Sequence, residues 1–337
     1  MTPTLLLAAH GTREAAGVRL LRRLAAMVER TGGVPVRLCF VDVLGPDPAA
    51  AIEAIDGPVV VVPAFLAAGY HVRVDLPGRI AATGRADVAV TPPLGSDPAL
   101  VTALVDRLAA ATRAATETTA ETATETATET ATGATAETTA ETTDPIYHLN
   151  HSNLWNHIRH RSHICSDDPD TAVVLAAAGS ADPRALADVR RTASRLSDLL
   201  GRPVRAGYVT TATPRVGDLV AELRDGGARR VAVAPWLLAP GLFQRTLAAV
   251  GADVVAEPLG LHPAVLDAVL RRYHAQAGQP LWSWPGQLRE PAPGARTAST
   301  SATTARPSAT TASSTSTTAG KSARLATVPT RIAAAST

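Results

Sequence analysis

The sequence predicts two similar α/β domains, each built on a parallel β-sheet with helices on both faces. Two observations lead to this fold class. Short apolar strands alternate with amphipathic helices, which is the pattern of a parallel sheet. In addition, the first 110 residues or so are repeated in outline after residue 170, so the second domain is a copy of the first.

Each element of the first domain follows from its local pattern. Residues 4–9 form an apolar strand, and the helix over 14–30 carries apolar residues at three- and four-residue spacing from Val18 to Val28. Asp-Pro pairs supply an N-cap and a first helical residue at 47–48 and 97–98. The further elements are strands over 34–41, 58–65 and 86–90 and helices over 47–55, 75–83 and 97–111. Four β-α units in succession predict a flavodoxin-like domain.

The composition changes sharply after the first domain. Residues 114–143 are almost wholly Thr, Ala and Glu, and 144–170 hold five of the nine histidines of the chain. We predict that 114–170 is a disordered linker with a histidine-rich insert, and that 279–337, rich in Ala, Thr, Ser and Pro, is a disordered tail. The insert either loads metal into the protein or binds ions adventitiously. The domains are then predicted over 1–113 and 171–278.

The repeat is visible in four aligned segments of the two domains. Leu5-Leu-Leu-Ala-Ala-His-Gly-Thr12 aligns with Val173-Val-Leu-Ala-Ala-Ala-Gly-Ser180, for example, and Pro63-Ala-Phe-Leu-Ala-Ala-Gly-Tyr-His71 aligns with Pro235-Trp-Leu-Leu-Ala-Pro-Gly-Leu-Phe243. The turns are retained but the polar residues at strand ends are not. His10, Asp42 and His71 correspond to Ala178, Thr210 and Phe243. Selective loss of these three side chains indicates that they form a site in the first domain only.

The three residues have a chemistry in common. Strand ends of a parallel sheet meet at one edge, so His10, Asp42 and His71 are expected to lie together. Two imidazoles and a carboxylate can bind a divalent cation such as Fe²⁺ or Co²⁺, and neutral imidazole also accepts protons. An enzyme that inserts a metal into a tetrapyrrole needs both functions, because it must hold the ion and remove two pyrrole protons.

The motifs around these residues resemble a known family. Ala9-His-Gly-Thr-Arg13 resembles the A-H-G-S-R start of the sirohydrochlorin chelatases, and Pro63–Pro77 resembles their P-x-F-L-x-x-G-x-H-x-x-x-D-x-P signature. Phe40-Val-Asp42 resembles the F-L-E end of their second strand. The resemblance covers 4–111 strongly and 172–273 as a degenerate half.

The resemblance implies a chelatase-like fold with two similar halves around a cleft. It implies a lyase that inserts Fe²⁺ or Co²⁺ into sirohydrochlorin without ATP and has no permanently bound cofactor. His10 and His71 would be catalytic, and would bind the metal together with Asp42, which stands where many relatives have Glu. Fe²⁺, giving sirohaem, is the expected metal, because the chain has none of the extra domains of the cobalamin pathway.

Further residues are expected to bind the substrate. The carboxylates of sirohydrochlorin favour basic residues at the cleft rim, and Arg13 and Arg73 flank the two histidines. Arg215 and Arg245 lie at equivalent strand ends of the second domain. Other expected substrate contacts are Gly11, Thr12 and Gly69, where the glycines allow tight turns and close approach of the ligand.

Composition limits the alternatives. The net charge of +2 excludes a nucleic-acid footprint, two cysteines in 337 residues fit a reducing compartment, and no apolar run is long enough to cross a membrane. We therefore expect a soluble cytoplasmic protein; the two pseudo-symmetric domains are compatible with a monomer, but the sequence does not fix the oligomeric state. A nucleotide-binding protein is disfavoured because no G-x-G-x-x-G motif follows a strand. A cobaltochelatase, a metal carrier without enzymatic activity and an inactive paralogue remain alternatives.

Overall fold

The structure, a computed structural model, describes residues 2–128 and 171–278. Within these ranges it contains two four-stranded parallel sheets, as the sequence predicts. The elements of the first half are β1 Thr4–Ala9, α1 Ala15–Gly32, β2 Val36–Phe40, α2 Pro48–Glu53, β3 Val59–Pro63, a π-helix His71–Asp75, α3 Leu76–Ala82, β4 Val88–Val90, a 3₁₀ turn Leu94–Ser96 and α4 Ala99–Thr128. The strands of its sheet lie in the order β2-β1-β3-β4.

The second half repeats this order with a sheet β6-β5-β7-β8. Its elements are β5 Thr171–Ala177, α5 Pro183–Leu200, β6 Val204–Tyr208, α6 Val216–Asp225, β7 Arg230–Trp236, α7 Leu242–Ala248, β8 Val254–Val255 and α8 Pro263–Ala277. The registers also correspond, since Leu7 pairs with Val62 in the first half and Leu175 pairs with Ala234 in the second. The predicted internal duplication is therefore present in the fold.

The last helix of each repeat packs on the sheet of the other half. Helix α4 contacts β7, β8 and α5, whereas α8 contacts β3 and α1. Polar contacts hold α8 in place: Arg271 Nη2 donates to Asp97 Oδ2 at 2.9 Å, and Tyr273 Oη donates to the carbonyl oxygen of Pro3 at 2.7 Å. The repeats predicted as domains 1–113 and 171–278 thus exchange one helix.

This exchange creates one hydrophobic core shared by both halves. It contains β1, β3 and α1 side chains of the first half and β5, β7 and α5 side chains of the second, with α4 and α8 between them. The outer faces of the two sheets form separate, smaller cores, under α2 and α3 in the first half and under α6 and α7 in the second. Because the shared core is the largest, the relative position of the halves is set by apolar packing.

Helix α4 is longer than the sequence analysis predicted. The predicted end at Ala111 is wrong, since the helix continues to Thr128, and the segment 114–128 is therefore not a disordered linker. Residues 99–128 contain neither glycine nor proline and are rich in Ala, the residue that most favours helix. The hydroxyl groups of Thr116 and Thr118 donate to carbonyl oxygens four residues earlier, at 3.0 Å each.

Two predicted segments lie outside the described residues. These are the histidine-rich insert within 144–170 and the tail over 279–337, so their predicted disorder stays a prediction. Among the residues that the structure describes, no helix is both long enough and apolar enough to cross a membrane.

Candidate metal centre

Three loops at the carboxyl edge of the first sheet bring the predicted ligands together. His10 directly follows β1, Asp42 is the second residue after the end of β2, and His71 begins the π-helix after β3. The ligand atoms of these three side chains lie within 4.8 Å of one another. The two imidazole rings meet edge to face, with centroids 4.8 Å apart and planes at 86°.

The hydrogen bond of His10 decides which of its nitrogen atoms is free. Nδ1 lies 3.2 Å from the carbonyl oxygen of Gly11. A carbonyl oxygen can only accept, so Nδ1 carries the proton in the neutral ring and Nε2 keeps its lone pair. This nitrogen is therefore available as a metal ligand or as a proton acceptor.

His71 is held in the same way, but by a carboxylate. Its Nδ1 donates to Asp75 Oδ2 at 3.0 Å, and the other oxygen of Asp75 accepts from Arg79 Nε at 2.7 Å. Burial raises the pKa of the Asp75 carboxyl, but the hydrogen bonds from Arg79 and His71 outweigh it and hold that pKa below its ordinary value. A charged Asp75 fixes the ring orientation of His71 and leaves Nε2 free.

Sequence reasoning assigned no function to Asp75. The carboxylate follows His71 by four residues in a helical segment, and side chains at this spacing lie on the same face. The spacing was visible in the sequence, but the same residue could have been an ordinary helix-start acid. The π-helix from His71 to Asp75 is the local feature that makes the contact, and such helices are frequent at functional sites.

Asp42 is directed by an unusual loop. Its Oδ1 accepts from the backbone N–H of Val43 at 2.8 Å, and Val43 has a left-handed φ of 72°. A β-branched residue in this region is strained, which is a feature of functional loops. One oxygen of Asp42 is thus anchored and the other remains available to an ion beside the histidines.

The second copy retains the loop geometry without the ligands. Thr211 has φ 60° at the position that corresponds to Val43, and Thr210 Oγ1 donates to the carbonyl oxygen of Ala178 at 2.8 Å. Gly11 and Gly179 also correspond to each other. A β-carbon at Gly11 would clash with the carbonyl oxygen of Asp42, and one at Gly179 would clash with that of Thr210. Gly11 is therefore required by the backbone, whether or not a ligand approaches it.

A cleft of about 610 Å³ opens between the two halves at this edge. Its walls are mainly apolar, and its lining includes His10, Gly11, Thr12, Gly69 and His71 from the first half. The second half contributes an apolar wall that includes Ala178, Trp236, Leu237, Leu238, Pro240 and Phe243. Since the corresponding positions hold His10 and His71 in one half but Ala178 and Phe243 in the other, the cleft has imidazoles on one face only.

Aromatic and apolar side chains complete the cleft. The ring of Phe65 lies 6.3 Å from that of His10 and 6.4 Å from that of His71, and Trp236 Nε1 donates to the carbonyl oxygen of Leu66 at 3.0 Å. At the mouth, Tyr70 is 62% exposed and its counterpart Leu242 is 61% exposed. Exposed apolar groups beside an apolar cavity are typical of a site for a large, partly apolar ligand.

The remaining predicted substrate contacts have varied positions. Thr12 Oγ1 accepts from the backbone N–H of Glu14 at 3.1 Å, and Gly69 faces Ser180, whose Oγ lies 3.4 Å from the position of a β-carbon on Gly69. Gly69 has no left-handed φ and a β-carbon there would make only an ordinary contact, so neither a strained turn nor the approach of the halves requires glycine at this position.

The four predicted arginines lie outside the cleft wall. Arg13 is exposed, and Arg215 Nη1 donates to the carbonyl oxygen of Val209 at 2.7 Å. Arg73 and Arg245 both form ion pairs with the opposite half, with Asp182 and Glu14.

Two other titratable residues are structural. His262 caps α8, because its Nδ1 accepts from the backbone N–H of Ala264 and its Nε2 lies 3.1 Å from Asp106 Oδ2. Cys39 is buried in β2, and burial, with a smaller effect of the Asp47 carboxylate, raises the pKa of its thiol to about 12. A thiol with so high a pKa is not a nucleophile at neutral pH.

Comparison with solved structures supports the same fold. SirB from Bacillus subtilis with Fe³⁺ aligns with a TM-score of 0.57 at 20% identity, over 82% of this chain and 96% of that one. SirB from Bacillus subtilis subspecies spizizenii in complex with cobalt gives a TM-score of 0.54 at 18% identity, over 82% of this chain and 96% of that one. A CbiX, described as the terminal enzyme for biosynthesis of sirohaem in denitrifying bacteria, aligns with a TM-score of 0.51 at 22% identity, over 81% of this chain and 98% of that one.

Comparison of sequences identifies the family. No curated protein matches the chain significantly. The CbiX family model, however, matches residues 4–111 and again 172–276, which together are more than half of the chain. The two matches coincide with the two repeats, and the first contains His10, Asp42 and His71. The chain therefore belongs to the CbiX family, that of the sirohydrochlorin chelatases.

Proposed function

We propose that the protein inserts a divalent metal ion, Fe²⁺ in the first instance, into sirohydrochlorin without ATP. The observation that carries the proposal is the cluster of His10, Asp42 and His71, which opens into a cleft with an apolar opposite wall. The solved relatives that contain Fe³⁺ or cobalt support a metal site in this fold. In this proposal the metal is a substrate and not a resident cofactor.

The three side chains would hold the incoming ion. Among the described residues, neither Nε2 of the two histidines nor the second oxygen of Asp42 has a hydrogen-bond partner. Nitrogen and oxygen ligands about 2.1 Å from one ion lie at most about 4.2 Å apart, and the three ligand atoms lie within 4.8 Å of one another. Three protein ligands would leave coordination positions open for the ring nitrogens, as transfer to the macrocycle requires.

The apolar wall would position the macrocycle. A planar tetrapyrrole against Trp236, Leu238 and Phe243 presents its opposite face to the histidines. Because the second half has no ligands at the corresponding positions, the ion would enter from one face only. Burial of the ring in the cleft would also remove its apolar faces from water.

The histidines would then accept the pyrrole protons. As the ion moves from the protein ligands to the ring nitrogens, two N–H bonds break and the free Nε2 atoms of His10 and His71 can each take a proton. The ion gains the electron pairs of the ring nitrogens, and the products are the metallated ring and two protons. Both imidazoles lie at the mouth of the cleft, where water can carry these protons away.

Anaerobic absorbance spectroscopy of sirohydrochlorin with Fe²⁺, and then with Co²⁺, tests the proposal. Acceleration over the metal-only rate is expected, with loss in His10→Ala and in His71→Ala. His274→Ala, an exposed histidine on α8, is the control and should retain the wild-type rate.

The alternatives predict different results. Faster insertion of Co²⁺ than of Fe²⁺ would identify a cobaltochelatase, since the ligand set itself discriminates little between these ions. Metal binding without acceleration for either ion would identify a carrier and would refute the proposal. Cytoplasmic location and a monomeric state stay predictions, which cell fractionation and light scattering test.

A further inference from the structure

Two ion pairs join the halves at the rim of the cleft. Arg73 Nε of the first half lies 3.6 Å from Asp182 Oδ2 of the second. In the opposite direction, Arg245 Nη2 of the second half lies 2.7 Å from Glu14 Oε1 of the first. Each pair therefore places an arginine of one half against a carboxylate of the other.

The two pairs correspond to each other in the internal repeat. Arg73 follows His71 by two residues, and Arg245 follows Phe243, its counterpart, by two. Glu14 likewise follows His10 by four residues, and Asp182 follows Ala178 by four. The metal ligands are absent from the second copy, but this arginine and this carboxylate are present in both.

The cleft wall contains no cation that could match an anionic ligand. Among the described residues that line it, the ionisable ones are His10, Tyr70 and His71, and neither lysine nor arginine is present. The carboxylates around a sirohydrochlorin ring must therefore meet cations at the rim. Arg73 is in the right place, because its Nε donates at 2.7 Å to the carbonyl oxygen of Ala68, which lies between two residues of the lining.

Arg245 has the equivalent position on the other side. It lies on α7, one turn after the lining residue Leu242, and its partner Glu14 donates its backbone N–H to the lining residue Thr12. The two arginines are thus on opposite sides of one cleft. A flat ring with carboxylates around its edge would reach both.

We propose that Arg73 and Arg245 bind carboxylates of the tetrapyrrole, and that Asp182 and Glu14 occupy these arginines while the cleft is empty. Substrate binding then exchanges two ion pairs within the protein for two between protein and substrate. This inference rests on the proposed function, because it takes sirohydrochlorin as the ligand.

Exposure makes the exchange feasible. The side chains of Arg73 and Asp182 are 38% and 23% exposed, and those of Arg245 and Glu14 are 64% and 35% exposed. Ion pairs at such exposure contribute little to stability, so they can be broken at small cost. A ligand that bridges several cations at once gains more than either pair loses.

Substitution of either partner of a pair tests the exchange, because the two partners should have opposite effects. Asp182→Asn and Glu14→Gln free an arginine, so each should strengthen the binding of sirohydrochlorin about two- to fivefold. Arg73→Gln and Arg245→Gln should each weaken it about three- to tenfold. Asparagine can still cap α5, where Asp182 Oδ1 accepts from the backbone N–H of Arg184 at 2.8 Å.

Binding is measured by titration of the intrinsic fluorescence of metal-free sirohydrochlorin, so that it does not depend on metal insertion. The matched controls are Arg205→Gln and Glu222→Gln. Each removes an exposed ion pair of the second half, in which Arg205 Nη1 lies 2.8 Å from Glu222 Oε1. Neither control should change the affinity. Raised salt should weaken binding to the wild type more than to the Arg73→Gln/Arg245→Gln double variant.

Three results would overturn the inference. If all four substitutions weaken binding, the pairs only hold the shape of the cleft; if none changes it, the rim arginines do not bind the substrate. A wild type that binds sirohydrochlorin but inserts no metal would refute the proposed function and leave this inference open to the same titration. A wild type that does not bind sirohydrochlorin would refute both.

Discussion

Replacement of Asp75 by asparagine should impair metal insertion without loosening substrate binding. The carboxylate accepts from His71 Nδ1 at 3.0 Å with one oxygen and from Arg79 Nε at 2.7 Å with the other. Asparagine has one oxygen and one NH₂ group, so it cannot accept from both donors. The charged guanidinium of Arg79 is expected to keep the oxygen, since charge-assisted hydrogen bonds are the stronger ones.

The NH₂ group of the asparagine would then face His71. It can only donate, so Nδ1 must accept and the proton of the neutral imidazole moves to Nε2. That nitrogen is the one proposed to bind the metal and to accept a pyrrole proton. Loss of a partner that orients a metal-binding histidine typically costs about 10- to 100-fold in activity or affinity, which corresponds to about 1.4–2.7 kcal/mol.

The assay is anaerobic metal insertion into sirohydrochlorin, with kcat and KM determined separately. We expect kcat to fall about 10- to 100-fold in Asp75→Asn. KM for sirohydrochlorin should not change, because Asp75 does not line the cleft. The absorption spectrum of bound Co²⁺ should change as well, since one of its nitrogen ligands is withdrawn.

Asp87→Asn is the matched control, because Asp87 is also paired with an arginine, Arg85, at 2.8 Å but lies away from the histidines. It removes a comparable ion pair and should retain kcat. A kcat of Asp75→Asn equal to that of the control would refute the assigned role of Asp75. Equal losses in both variants would attribute the effect to stability.

Four further predictions concern stability and reactivity. In a Cys165→Ser variant, the Cys39 thiol should be unreactive toward a disulfide reagent at pH 8 and should react after denaturation, because burial raises its pKa to about 12; reaction in the native state would contradict the burial. Truncation after residue 262 removes α8 and four large buried side chains. At about 1.5–3 kcal/mol of burial free energy per side chain, the free energy of unfolding falls by about 6–12 kcal/mol, which is comparable to the whole stability of a domain. A cooperative melting transition in this variant would refute the helix exchange. Burial raises the pKa of the Asp253 carboxyl, but hydrogen bonds from the Val231 N–H and from Arg224 outweigh it and lower that pKa. The charged carboxylate therefore stabilises the fold above its unfolded-state pKa, and this contribution is lost as the pH falls through the folded-state pKa. Asp253→Asn should lower the melting temperature at pH 7 but not at pH 2, and equal losses at both would be inconsistent with the linkage. Replacement of the five histidines of the insert within 144–170 by alanine should leave insertion unchanged at saturating metal, and a lower rate there would show that the insert takes part in chelation.

Local sequence patterns were sufficient for most of the fold. Strands over 4–9 and 172–177 were predicted within one residue, since the apolar runs are short and are bounded by turns. The predicted end of α4 was wrong because composition alone does not distinguish a helix of Ala, Glu and Thr from a disordered linker of the same residues. The structure continues the packed helix through Thr128, in a stretch without glycine or proline to end it.

The candidate site was predicted in part. His10, Asp42 and His71 could be selected because the repeat supplies an internal control, in which turns are retained and ligands are not. Asp75 was not selected, since its function depends on which nitrogen of His71 it contacts. Arg73 and Arg245 were selected as cations, but their carboxylate partners lie more than 100 residues away in the chain.

The sequence by itself determined the duplicated parallel fold, the strand-end positions of the proposed metal ligands and the family. These depend on hydrophobic period, turn residues and motif spacing, which are local properties of the chain. Only the tertiary structure decided that α4 and α8 are exchanged, that the two histidines face a wall of the second half across a cleft, and that rim arginines pair across it. These features arise from contacts between distant segments, whose free energy depends on how the two halves pack and not on any single stretch of sequence.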